Sequence, residues 1–210
     1  MRDHEPHLAG AVGVRAGSAA RRSARLGALL LGFVAVPLAR AQQVAVTIDP
    51  AATQIDFTLG ATMHTVHGTF KLKSGEIRWE PATGHASGAI VIDATSGNTD
   101  NSSRDKNMHA QVLESAKFPE IVFTPSQVKG ELAKAGNSQL EVSGAIKLHG
   151  QDHPQTLAVA VQPGPSGTLQ ATTQFPVPFK MWGLRDPSTF LLHVADNVNL
   201  EIHAVARINP

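Results

Sequence analysis

Residues 140–150 read Leu-Glu-Val-Ser-Gly-Ala-Ile-Lys-Leu-His-Gly. Leu140, Val142, Gly144, Ile146 and Leu148 fall on one face of an extended chain, and Glu141, Ser143, Ala145, Lys147 and His149 on the other. Successive β-strand side chains point to opposite sides, so this stretch reads as a strand with one dry and one wet face. The alternation recurs at Ile55, Phe57 and Leu59, at Val66, Gly68, Phe70 and Leu72, and around Ile90 and Ile92. It returns at Leu157, Val159 and Val161 and again from Leu169 to Phe175. Gly, Pro and Asn separate these runs. Ser74-Gly75 reads as a turn and the polar stretch 95–103 as a loop. One segment, 104–116, reads as a helix, with Ser102 or Ser103 as its cap, Asp105 at the positive end of its dipole and Pro119 closing it. Eight to ten short strands joined sequentially favour an all-β, up-and-down antiparallel barrel of about eight strands with one short helix over a Greek-key sandwich.

The N-terminus has a different character. Arg15, Arg21, Arg22 and Arg25 precede an apolar run over 26–38, and Ala39-Arg40-Ala41 places small residues where a signal peptidase reads. The expectation is a cleaved export signal over 1–41, a domain over 42–210 and a periplasmic location. The first 41 residues hold six Arg against Asp3 and Glu5, so of the chain's 18 basic and 17 acidic residues 12 and 15 remain in the domain. A mildly acidic domain without a basic stripe gives no reason to expect nucleic acid. There is no cysteine, which excludes disulfides, thiol nucleophiles and thiolate metal sites.

No catalytic constellation stands out. Ser87, Ser143 and Ser166 each precede Gly but outside a G-x-S-x-G setting. No pair of His has HExxH spacing, and His64 and His67, three apart, fall on opposite faces of a strand. The expectation is therefore no enzyme, no metal and no cofactor, with a His-dependent metal enzyme as the rival from another class. The inferred inward face is apolar: Phe57, Leu59, Phe70, Leu72, Ile90, Ile92, Phe123, Val142, Ile146, Leu148, Val159 and Phe175. From the pattern alone these residues either fill the barrel as a core, leaving a structural or partner-binding domain, or line a tunnel.

Several short motifs, in order, bear on that choice. They are Ile55-Asp-Phe57, His64-Thr-Val-His-Gly-Thr-Phe70, Gly75-Glu-Ile77, Asn98-Thr99 with Arg104-Asp105, Phe118-Pro-Glu-Ile-Val-Phe123, Val142-Ser-Gly144 and Leu148-His-Gly150. Together they resemble the YceI-like family over roughly 46–206. Thr53 and the segment 182–189 depart from the family pattern. The resemblance implies a lipocalin-like barrel whose apolar tunnel takes an isoprenoid or similar lipid-like ligand, and no settled enzymatic activity. On that footing Arg104 either stands at the tunnel mouth near a ligand head group or, with Asp105, pins the helix start. His64 and His149 become strand-end residues with ligand contact as a second role. A homodimer through an exposed edge or the helix is compatible with every reading.

Overall fold

Strands that are dry on one face and wet on the other must hide the dry face, and this chain does so by closing on itself. The computed structural model describes residues 43–133 and 135–209. The expected export signal over 1–41 lies outside the described residues. The strands are β1 (Val44–Ile48), β2 (Gln54–Ala61), β3 (Thr65–Trp79), β4 (Ala86–Asn98), β5 (Glu120–Lys129), β6 (Ser138–Leu148), β7 (Gln151–Pro163), β8 (Thr168–Val177) and β9 (Val194–Asn209). From β2 onward each pairs antiparallel with the next, and β2 pairs with β9 to close the ring. Strands β1 and β2 are one stave broken in two. β1 pairs with the second half of β3 and the end of β9, whereas β2 pairs with the first half of β3 and the start of β9. The break is Asp49-Pro50, where the Asp49 carboxylate accepts the Ala51 amide at 2.9 Å and Pro50 begins a single 3-10 turn.

The ring therefore has eight staves, a number that either fills with side chains or holds one small ligand. Inward residues are apolar and outward ones polar, the reverse of a transmembrane barrel. Strand β6 keeps its expected phase, with Leu140, Val142, Ile146 and Leu148 buried and Glu141 and Lys147 exposed.

Three expectations about elements are corrected. Ser74-Gly75 is no turn: β3 runs through it as a 15-residue strand that shifts register between Leu72 and Ser74. A long stave must bend to follow the barrel wall, and a bulge with a glycine beside it supplies the bend. Strand β4 continues to Asn98, into the stretch expected to be loop. The helix α1 is short, Ser102–Asn107, and passes into a π-turn over Met108–Val112. Its cap is Asn101, whose side-chain oxygen accepts the Arg104 amide at 3.0 Å.

Because β2 to β9 form a meander, alternate connections share an end. The turns 62–64, 99–119, 149–150 and 178–193 lie at one end of the barrel, and 80–85, 130–133 with 135–137, and 164–167 at the other. The first end carries every long connection, and there the functional groups gather.

Candidate functional site

The lumen is open. A cavity of about 920 Å³ runs inside the barrel, near the upper end of the range for small-molecule sites. Its wall is almost wholly apolar. Of the residues singled out from sequence, Phe57, Leu59, His64, Phe70, Ile90, Ile92, Arg104, Phe123, Val142, Ile146, Leu148, Val159 and Phe175 all border it, as does Leu72. Phe57 and Phe70 meet across β2 and β3 with ring centroids 5.1 Å apart. Polar groups concentrate at the end with the long connections, where His64, Thr99, Asn101, Ser103, Arg104, Asn107 and Thr189 form the mouth. Deeper in, the hydroxyl-bearing residues among the described wall are Thr53 and Thr173.

His149 is the exception, and the expectation of ligand contact there is corrected: it does not border the cavity. Leu148 pairs with Gln151, so His149-Gly150 is a two-residue hairpin loop. Both residues have positive φ, 52° and 80°, the geometry of a type I′ turn. The ring is held outside the lumen by a hydrogen bond between its Nε2 and the Glu114 carboxylate at 2.5 Å and by Phe118, whose ring centroid lies 4.4 Å away. The Phe118-Pro119 and His149-Gly150 motifs thus meet as a joint on the rim.

Arg104 and Asp105 are locked together through Thr99, which is buried. The Arg104 guanidinium donates to the Thr99 hydroxyl and to its carbonyl, each at 2.8 Å. The Asp105 carboxylate accepts the Thr99 amide at 2.9 Å and its hydroxyl at 2.6 Å. The pair pins the start of α1 and also leaves Arg104 on the cavity wall. A charge-assisted network of this kind holds its geometry far better than a lone surface pair. The following π-turn brings Met108 and Val112 to the lumen, with Leu113 next to them. It is tied to β4 by His109, whose Nε2 lies 2.9 Å from the Gly97 carbonyl and whose Nδ1 lies 3.0 Å from the Ser115 hydroxyl. A carbonyl only accepts, so Nε2 donates to Gly97.

Sequence reading missed the second cover. Phe179, Trp182 and Leu184, from the connection 178–193, also line the lumen. Strand β8 pairs with β7 only as far as Thr173 opposite Val159, so the two staves part toward the mouth. Trp182 fills that parting, stacked on His153 at 4.2 Å with the rings 2° from parallel. The segment is anchored by Lys180, which reaches Asp186 at 2.8 Å, Asp196 at 3.0 Å and the Val194 carbonyl at 3.2 Å. Hydrogen bonding to Lys180, then to Ser188, holds the Asp186 carboxyl at about 2, below the ordinary 3.8. A depressed folded value stabilises the anchor above the unfolded value and is lost as pH falls through the folded one. Hydrogen exchange across 178–193, corrected for intrinsic rates, is therefore expected to speed up from about pH 4 to about pH 2. Asp186→Asn should remove that dependence, and an unchanged profile would count against the anchor.

Two buried side-chain atoms lack a hydrogen-bond partner among the described residues, His153 Nε2 and Thr173 Oγ1, and both lie on the parting staves. A buried hydroxyl without a partner costs on the order of 1–3 kcal/mol. Thr173→Val keeps the shape and removes the cost, so unfolding is expected to become harder by about 1 kcal/mol. A fall in Tm would show that Thr173 is bonded in solution.

Comparison with known proteins places this architecture. A model of the YceI-like domain matches residues 46–206. A UPF0312 protein of Vibrio cholerae is 29% identical over 129 residues, covering 60% of this chain and 66% of that protein. YceI of Salmonella arizonae is 32% identical over 94 residues, covering 44% of this chain and 47% of that protein. Both matches span less than two thirds of the relative's length. Among solved structures, a polyisoprenoid binding domain from Saccharophagus degradans superposes with a TM-score of 0.58 at 17% identity, over 79% of this chain and 99% of that one. Burkholderia cenocepacia BcnA gives 0.61 at 17%, over 75% and 98%. These two likenesses concern the fold. With a closed eight-stave barrel, an open apolar lumen and a family match over most of its length, the chain belongs to the YceI-like family.

Proposed function

We propose that the protein is an exported, non-enzymatic carrier or reservoir that holds one long apolar amphiphile, a polyisoprenoid, quinone precursor or similar lipid, with its tail in the barrel. The observation that carries this reading is the lumen itself, about 920 Å³ with an apolar wall and its polar groups gathered at one mouth. A protein interior is ordinarily close-packed, so an apolar void of this size has a use. Moving a tail from water into it gains ~0.8 kcal/mol per buried CH₂, which offsets the cost of ordering the ligand after a handful of carbons. Arg104 at the mouth suits a polar or anionic head group. The two covers, α1 with its π-turn and the segment 178–193, would act as lids, the first resting on few fully buried side chains. A binding role also accords with the family and with the ligand named for the Saccharophagus domain. Among the described residues no three His, Asp or Glu come together in a group that could hold a metal ion.

The test is native mass spectrometry of protein taken from its own exported compartment, followed by extraction into organic solvent. A stoichiometric adduct that leaves with the solvent is the expected result. A bare mass, together with no gain in Tm from any added isoprenoid, would overturn the carrier reading.

A further inference from the structure

The large apolar side chains most exposed to water are concentrated at the mouth. Met63, Met181, Phe190 and Leu191 are exposed by 86, 84, 94 and 81%. Met63 lies in the β2–β3 turn and the other three in the β8–β9 connection. These two connections are joined: the Thr62 amide donates to the His193 carbonyl at 2.9 Å, and the His193 amide to the Thr62 hydroxyl at 3.0 Å. Their neighbours His64, Thr189 and Leu192 border the lumen, so the exposed tips stand on its rim. The turn 189–192 is closed by the Thr189 amide donating to the Leu192 carbonyl at 2.7 Å, and Phe190 and Leu191 are its outward tip. One exposed Leu needs no explanation, but four large apolar residues on the one end that opens do. At the opposite end the described connections expose none, and the exposed large hydrophobic residue there among the described ones is Ile208, 45% exposed near the close of β9.

We propose that this rim docks on a lipid bilayer, with Met63, Phe190 and Leu191 entering the interfacial layer so that the lumen opens toward the acyl chains. The proposal rests on reading the lumen as a lipid site. It supplies what that reading needs, since every methylene that crosses water between membrane and lumen raises the barrier to transfer. A bilayer suits the geometry better than a protein partner. Separate protruding tips offer no continuous complementary face of the roughly 800 Å² that a stable protein interface takes from each side, whereas a fluid interface accepts isolated apolar side chains one at a time. No helix among the described residues is long and apolar enough to cross a membrane, so the contact is peripheral. Charge contributes little. The connections at this end carry Arg104, Lys106, Lys117, Lys180 and Arg185 against Asp100, Asp105, Glu114 and Asp186, which nearly cancel. Docking by apolar insertion should therefore survive salt that would screen surface charges.

The test uses flotation with phosphatidylcholine vesicles, with and without one part in five phosphatidylglycerol, at low and high salt. The wild-type chain is expected to float with both compositions, with little effect of salt. Phe190→Ser with Leu191→Ser is expected to lower partitioning by at least about tenfold, the loss of two interfacial anchors. Neither residue borders the lumen, so uptake of farnesol, geranylgeraniol and oleic acid from solution should be unchanged in that variant. Absence of vesicle binding with solution uptake intact overturns the docking and leaves the carrier reading standing. Vesicle binding without uptake of any of the three supports the docking and removes the carrier reading. Self-association without vesicles that the same variant abolishes overturns the docking in favour of a second copy. The chain has no cysteine, so an environment-sensitive dye can report one site at a time. A label at Phe190→Cys should blue-shift on vesicles and one at Lys129→Cys, at the far end, should not; equal responses at both would count against insertion by the rim.

Discussion

Ala171→Trp is expected to leave the barrel folded, weaken long-chain ligands about 100-fold and spare short-chain ones. Ala171 borders the lumen on β8, opposite Val161 and Ala204, toward the end away from the mouth. Enlarging a side chain in a packed core costs 1–3 kcal/mol, because neighbours must leave their rotamers. Here the ring can extend into empty space, so Tm should hold or rise. The ligand loses what the ring takes. Displacing about four buried carbons at ~0.8 kcal/mol each forfeits about 3 kcal/mol, or about two powers of ten in Kd. The dependence on chain length carries the information. A tail that enters from the mouth and runs the length of the barrel meets the block only if it is long. Equal losses for long and short ligands would mean that the tail does not lie this way, and no loss for either would mean that ligands bind outside the lumen. The measurement is a titration of alcohols of increasing chain length against the wild type and Ala171→Trp.

The barrel was legible because its signal is periodic. Strand β6 alternates on both sides of Ser143–Ala145, and each of the twelve large apolar residues inferred to face inward borders the lumen. What failed were positions where the period is silent. Ser74-Gly75 has turn composition, yet the chain there stays extended and bends at a register shift. Composition cannot tell a reversal from a bend, because both call on the same small residues. His149 lies on the wet side of the alternation and stays outside the lumen, in a two-residue hairpin loop; ligand contact there is an expectation that the period does not carry. The segment 178–193 was opaque for another reason. Phe179, Trp182 and Leu184 follow neither a period of 2 nor one of 3.6, so nothing in their spacing says that they turn inward. Their placement is decided by where β7 and β8 part and by the His153 ring against which Trp182 stacks. The lumen's emptiness was illegible in principle. The same inward residues would fill a narrower barrel, and what holds this one open is the cross-strand register.

Gly144→Ala is expected to destabilise the fold by about 3 kcal/mol, at the upper end of overpacking costs and out of proportion to one methyl group. A Cβ at Gly144 would lie 2.3 Å from the Thr124 carbonyl oxygen and 2.9 Å from two atoms of the Phe123 ring. The ring could swing away, but the carbonyl belongs to β5 backbone paired with β6, so relief requires parting two staves. Gly68 repeats the arrangement across the barrel. There a Cβ would lie 2.3 Å from the Phe57 ring and 2.6 Å from the Asn98 carbonyl oxygen. In both cases a lumen phenylalanine lies over a glycine of the neighbouring strand, with a backbone carbonyl close by. The two glycines of the Val-x-Gly steps are thus places where a wall must be thin for an aromatic ring to lie flat against it. If that is their role, Gly144→Ala should lower the denaturant midpoint at unchanged m-value. It should also push the Phe123 ring into the lumen and weaken ligand binding in the protein that remains folded. A variant with wild-type stability would show that β5 and β6 part easily, and the wall would then be soft enough for its emptiness to need another cause.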